Sequence, residues 1–287
     1  MDLAQEIDST AALAVPYVRW LGVKSIENTA DGVRVHLPYQ DGNSNLGGTL
    51  HGGVFASLIA ITARLTVVRA MRGAQESQVQ TLSQTVQYLS TASKEAVWAQ
   101  GRVLRTGKRL CFVEVSVNRT DGEMITHGSL LLRVSEEAAT RSLNPPTVEL
   151  PPASAGEILP VAQMLTKLGF IARLGLGIER MVDGQARINL PYRPELDDGS
   201  GHHHDGAVAG LFDTTGAMAA FALKSGQGMR AVTPSLHINI LDSSQGQNLT
   251  ALGKAIWQRD EMYLSEVAVV AADGRICACG SMAYRVT

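Results

Sequence analysis

Two segments of the chain are apolar on nearly every side. VFASLIAITARLTVVRAM, from Val54 to Met71, and HHHDGAVAGLFDTTGAMAAFAL, from His202 to Leu223, run well beyond strand length and read as helices. A helix without a polar face must be covered all round. The residues after the first helix supply the cover. TLSQTVQYL, AVWAQGRVLRTG, RLCFVEVSVNRTDG and MITHGSLLLRV alternate apolar with polar positions, favour β-branched side chains and are separated by turn signals. They predict antiparallel strands joined by hairpins, and one helix wrapped by such a meander is an α+β unit.

The pattern occurs twice. RVHLPY (Arg34 to Tyr39) returns as RINLPY (Arg187 to Tyr192), and DGEMITHGSLLLRV (Asp121 to Val134) returns as DGRICACGSMAYRV (Asp273 to Val286), each about 150 residues later. Gly101 and Glu114 find Gly253 and Glu266 at the same offset. So long a period excludes a solenoid and indicates a domain fused to a copy of itself. Between the copies, SEEAATRSLNPPTVELPPASAGE is rich in proline, serine and alanine and reads as a linker. The predicted organisation is a first domain over residues 1–134, a linker over 135–157 and a second domain over 158–287. Each copy opens with a short amphipathic helix (Leu159 to Leu168 in the second) and a strand ending at Leu-Pro-Tyr.

Composition narrows the partners. The 287 residues are 45% hydrophobic and 18% charged with a net charge of -2, enough for a real core and too little positive charge for nucleic acid or an anionic membrane. Arg64 and Arg69 inside the first apolar segment argue for a buried helix rather than a bilayer span. The N-terminus, MDLAQEIDST, lacks the order of a signal peptide, and the three cysteines (Cys111, Cys277, Cys279) have no metal or redox spacing, so a cytoplasmic protein with reduced thiols is expected. Consecutive histidines at 202–204 rarely converge on one ion, and neither a metal nor another cofactor is expected.

The two helix entrances carry the candidate chemistry. NLGGTLHGGVFASLIAITA, beginning at Asn45, aligns with DGSGHHHDGAVAGLFDTTG, beginning at Asp198. His51 then falls opposite His204, Gly53 opposite Gly206, and Asn45 opposite Asp198. Asp213, nine positions after His204, falls opposite Ala60. Each copy holds only part of a polar set.

Asn-x5-His-Gly-Gly followed by an apolar helix, with an acid nine residues after the histidine, resembles the hotdog-fold acyl-CoA thioesterases, most nearly their phenylacetyl-CoA (PaaI-like) branch. The resemblance covers both copies. It implies two tandem hotdog domains, each a long central helix wrapped by an antiparallel sheet, paired as a pseudo-dimer with active sites at their interface. One site would combine Asn45, His51, Gly52 and Gly53 with Asp213. The other would hold Ala60 in place of the acid, and Asp198 and Asp205 in place of the asparagine and first glycine. The substrate implied is an acyl-CoA, hydrolysed without metal or redox cofactor, by a chain that pairs further into a homodimer.

Physical chemistry gives these residues roles. Free N–H groups at the helix start around Gly52 and Gly53 are donors for a developing oxyanion. Asn45 adds a donor or positions water. Asp213 in an apolar setting is a stronger base than an exposed aspartate, and either activates water or attacks to form an anhydride. Thr233, at the start of the strand after the second helix, supports water or the acid. The plainer alternatives are a turn role for Asn45, a loop-holding role for His51, and an Asp213 satisfied by Thr214 or Thr215. Leu58, Ile59, Leu211 and Phe212 would line an acyl tunnel between the helices. The basic hairpin with Arg105, Lys108 and Arg109, beside Arg102, would hold the phosphates of coenzyme A or be a solvated tip. A non-catalytic acyl-CoA sensor is the second functional reading. A hydratase or dehydratase of the same fold is the third, disfavoured because the Gly-Asp-x-Asn-Pro-x-His pattern is absent.

Overall fold

A computed structural model of the protein describes residues 6–71, 73–135, 145–150, 160–167, 169–223 and 231–286. The first repeat holds α1 (Ser9–Ala14), α2 (Pro16–Leu21), β1 (Ser25–Asn28), β2 (Val33–Leu37), α3 (Gly52–Ala70), β3 (Val79–Tyr88), β4 (Val97–Thr106), β5 (Leu110–Arg119) and β6 (Met124–Val134). The second repeats that order with α4 (Pro160–Leu165), α5 (Gly169–Leu174), β7 (Gly177–Val182), β8 (Gln185–Leu190), α6 (Asp205–Leu223), β9 (Ala231–Ile240), β10 (Leu249–Arg259), β11 (Met262–Ala271) and β12 (Ile276–Val286). All twelve strands form one antiparallel sheet in the order β1-β2-β4-β5-β6-β3-β9-β12-β11-β10-β8-β7. The order is the same from either end, as a pseudo-two-fold axis requires. The axis passes between β3 and β9, which pair Ser83 with Asn239 and Gln87 with Ser235.

α3 and α6 lie side by side against this sheet. Glycine makes their approach possible: a Cβ on Gly53 would stand 2.8 Å from the Cα of Gly210, and one on Gly206 would stand 2.8 Å from the Cβ of Ser57. Their hydroxyls bond back along the helix, Thr62 to the Leu58 carbonyl, Thr214 to Gly210 and Thr215 to Leu211, so these three hydroxyls are buried with their donors satisfied. By length and composition both helices could cross a bilayer, but 89% and 94% of their apolar windows are buried inside the protein.

The structure departs from the sequence reading at the second domain's entrance. The single helix expected over Leu159 to Leu168 is α4, and a second short helix, α5, follows from Gly169; Leu159 and Leu168 themselves lie outside the described residues. Gly169 has φ +53, and a Cβ there would meet the Ser44 carbonyl oxygen at 1.8 Å. That close approach lets Phe170 N–H bond to the Ser44 carbonyl at 3.1 Å, tying α5 to the loop before α3. Of the segment read as a linker, residues 145–150 lie along the turn between β11 and β12, with Val148 N–H on the Gly274 carbonyl and Ile276 N–H on the Pro146 carbonyl. Residues 136–144 and 151–157 of it lie outside the described residues.

Candidate active site

The entrance to α3 is built around His51. Its backbone is extended (φ -69, ψ 145) and its Nδ1 accepts the N–H of Gly53 at 2.9 Å, capping the helix. Gly52, the first helical residue, has no carbonyl within the helix to receive its own N–H. The free donor expected around both glycines is therefore narrowed to Gly52, because Gly53 is committed to the cap. Phe170, from α5 of the other repeat, packs on the His51 ring at 5.1 Å between centroids.

Asp213 reaches this entrance from the middle of α6. It is 3% exposed, its Oδ1 accepts the Thr233 hydroxyl at 3.0 Å, and its Oδ2 lies 3.4 Å from His51 Nδ1. Gly53 N–H faces the same carboxylate. Burial raises the Asp213 pKa, opposed by His51, the Thr233 hydroxyl and the Gly53 N–H. Burial also lowers that of His51, opposed by Asp213. Nδ1 is occupied as an acceptor, so the imidazole is neutral with its proton on Nε2. The two side chains are consequently neighbours in a low-dielectric pocket rather than an ion pair. Tyr88, whose hydroxyl donates to the Gly52 carbonyl at 3.1 Å, and Tyr284 complete the surroundings; burial raises both phenols, and the Asp213 charge adds to it.

Among the residues expected from sequence, the structure brings His51, Gly52, Gly53, Asp213 and Thr233 together. Thr214 and Thr215 turn to their own helix and leave Thr233 as the hydroxyl partner of the acid. Asn45 is exposed on the preceding loop, its carbonyl receiving Gly48 N–H and its N–H bonded to the Thr49 carbonyl. Among the described residues its side chain makes no hydrogen bond to the cluster. Leu58, Ile59, Leu211 and Phe212 are sealed in the core at 0% exposure and line no open passage, because the glycine contacts close the seam between α3 and α6. Sequence reasoning missed Phe170, Tyr88 and Tyr284. Phe170 sits in the helix that was not foreseen, and nothing in its local pattern marks it as a neighbour of His51.

Comparisons with known proteins bear on the family and the fold. Residues 47–126, spanning α3 with its entrance and strands β3 to β5, match the family model of the thioesterase superfamily. A Halobacterium salinarum protein named as an esterase is 34% identical over 122 residues, which cover 39% of this chain and 80% of that protein. The chain belongs to the thioesterase superfamily. Human acyl-coenzyme A thioesterase 13 is 28% identical over 127 residues, covering 43% of this chain and 89% of that protein. A hot dog fold protein of unknown function from Alicyclobacillus acidocaldarius superposes over 96% of this chain and 98% of its own, with a TM-score of 0.68 at 15% identity. The fold is thus two tandem hotdog domains in one chain.

Within this superfamily member the second helix entrance is built differently. His204 caps α6 as His51 caps α3, accepting Gly206 N–H at 2.9 Å, and its ring stacks on Tyr17 at 4.7 Å. Where Gly52 stands in the first entrance, the second has Asp205, and Ala60 faces it in place of an acid. Arg64, one turn beyond Ala60, places Nη1 3.3 Å from Asp205 Oδ2 and donates Nη2 to the Glu76 carbonyl. The basic hairpin belongs to this side. Leu110 pairs with Arg133, Val134 N–H bonds to the Arg109 carbonyl, and Arg133 in turn pairs with Gln80 at the start of β3, far along the strand from Tyr88. Arg105, Lys108 and Arg109, expected to hold phosphates or to form a solvated tip, therefore do not flank Asp213; the antiparallel β3–β9 pairing sends the two entrances to opposite ends of the central strands. Arg102 is engaged by Glu114 across the hairpin at 2.6 Å.

Proposed function

We propose that the chain is an acyl-CoA thioesterase, releasing a free acid and coenzyme A at the composite site formed by the α3 entrance and Asp213. The observation that supports it is a buried carboxylate from one repeat packed against the N-terminus of the other repeat's helix, beside an unused N–H. Asp213 accepts a proton from water as that water attacks the thioester carbonyl. The oxygen of the tetrahedral intermediate takes its negative charge towards Gly52 N–H and the positive end of α3. Collapse breaks the C–S bond, and the proton held by Asp213 passes to the departing thiolate. Thr233 and Gly53 orient the carboxylate, and neutral His51 fixes the entrance. Attack by Asp213 itself to give an anhydride, then hydrolysed by water, uses the same groups in a different order.

Asn45 belongs to the proposal as a loop residue that would close on bound thioester. Exposed Leu89 and Val232, next in sequence to Tyr88 and Thr233, offer apolar contact for an aromatic or medium-chain acyl group of the phenylacetyl-CoA kind. Exposed Leu104, Leu110 and Phe112 on β4 and β5 support pairing of two chains. The test is thiol release over a panel of acyl-CoAs by the wild type and Asp213→Asn. Turnover lost in the variant supports the site. Tight binding without thiol release by the wild type would replace hydrolysis with acyl-CoA sensing.

A further inference from the structure

The second helix entrance opens on a cavity of about 400 Å³, lined among others by Arg64, Thr81, Arg133, His203, Asp205 and Val208. Its chemistry differs from that of the Asp213 site at matched positions, with Asp205 for Gly52, Ala60 for Asp213 and Asp198 for Asn45. A Cβ on Gly52 would point at Asp213 Oδ2 from 2.7 Å. In the second entrance that Cβ exists, as part of Asp205, and the facing acid is gone. A carboxylate thus stands where an oxyanion would have to be received, and its like charge rules out thioester hydrolysis there.

The cavity is nonetheless equipped. Its acids are all answered: Asp205 by Arg64, Asp242 by the buried Arg275 at 2.8 Å, and Asp198 by the N–H and hydroxyl of Ser200. What stays without a hydrogen-bond partner among the lining atoms is Arg64 Nε, Thr81 Oγ1, His202 Nδ1 and His203 Nε2. Thr81 Oγ1 and His203 Nε2 belong to side chains only 3% and 5% exposed, and neither atom has a hydrogen-bond partner. Burial depresses the His203 pKa to about 4, so its ring is neutral near pH 7. Unpartnered buried groups of this kind carry a cost that a ligand's own polar groups can remove. Val79, Val208, Ile240 and Leu249 add apolar wall. At the mouth the character reverses: exposed Arg133 leads directly to the hairpin with Arg105, Lys108 and Arg109.

We infer that this cavity is a second, non-hydrolytic site for coenzyme A, with the pantetheine arm inside and the phosphates on the Arg105–Arg109 hairpin. The inference rests on the reading of the chain as an acyl-CoA enzyme for the identity of the ligand. A chain of amides and methylenes, with carbonyls to accept from Arg64 Nε and polar groups to meet Thr81 and His203, matches this interior of unpartnered donors and acceptors on apolar walls, and a pocket of this size lies within the range of small-molecule sites. Phosphates match guanidinium and ammonium groups held at the rim. Free coenzyme A is also the product of the proposed reaction, so occupancy here would report product level to a protein whose hydrolytic site lies across the β3–β9 seam.

The test is equilibrium binding of free coenzyme A by calorimetry. Gly52→Leu, which fills the Asp213 entrance, should still bind one coenzyme A per chain. Adding Arg105→Gln, Lys108→Gln and Arg109→Gln in that background should weaken this binding at least tenfold. A folded Gly52→Leu protein that binds none, or binding unchanged by the three hairpin substitutions, overturns the inference. Should Gly52→Leu fail to fold, the wild type gives the answer through Cys277, which lines the cavity. Its alkylation by N-ethylmaleimide, followed by peptide mass spectrometry, should slow at least fivefold with S-methyl coenzyme A, whose capped thiol does not consume the reagent, and an unchanged rate overturns the inference. Neither readout needs turnover. A protein that releases no thiol yet shows both effects would fail as a hydrolase while keeping this site.

Discussion

Gly52 and Asp213 come from different repeats, yet a Cβ on the glycine would lie 2.7 Å from the aspartate's Oδ2. The site therefore has no room for a side chain at its first helical position. Gly52→Ala is expected to push the carboxylate aside, costing about 1–3 kcal/mol of stability. It should also lower kcat by roughly 10²–10⁴, the scale for a general base moved out of place, since alanine keeps the backbone N–H. Steady-state thiol release and thermal unfolding check the two effects separately.

Asp213→Asn separates chemistry from folding in opposite directions. As the proposed general base, its loss should cost about 10²–10⁴ in kcat. For stability the sign is reversed. The folded-state pKa is raised, so the protonated form is favoured in the native protein and the contribution falls as pH rises from the ordinary carboxylate range through the folded pKa. Asparagine mimics the neutral acid. The variant should melt above the wild type at neutral pH, with the difference disappearing in acid. Equal melting temperatures at both pH values would contradict the buried-charge account.

The rate itself should follow the same group. Activity requires ionised Asp213, so kcat/KM should rise with pH through a single ionisation lying above the ordinary carboxylate range. Thr233→Val removes a hydrogen bond that favours the ionised form. Its profile should move further alkaline, while a merely structural threonine would lower the plateau without moving the midpoint.

In the second entrance, Arg64 is a buried cation facing Asp205 and Glu76, with 7% of its side chain exposed. Arg64→Met should destabilise by about 3–5 kcal/mol, because it strands Asp205 without its counter-charge. Adding Asp205→Ala should restore part of that loss, as chemical denaturation of the single and double variants would show. Ala60→Gly, in the half without an acid, should leave thiol release unchanged.

How much of this was readable beforehand follows from what each feature depends on. The repeat, the long apolar helices and the hairpin strands are local patterns, and the near-match of β6 with MITHGSLLLRV shows how directly alternation fixes a half-buried strand. The exchange of Asp213 for Ala60 was visible because duplication supplies an internal reference for every position. The helix from Gly169 was not visible, since a six-residue helix carries too few turns to show a period and is held by contacts such as Phe170 with Ser44.

The sequence by itself determined that there are two like domains and that their polar sets differ. Only the tertiary structure decided which residues share a site. It joined Asp213 to His51 and Gly52, sealed Leu58 and Phe212 into the core, and set the basic hairpin on the strand ends away from Tyr88. The reason is geometric: antiparallel pairing of β3 with β9 reverses one repeat against the other, and no local pattern encodes which ends of two distant elements will meet.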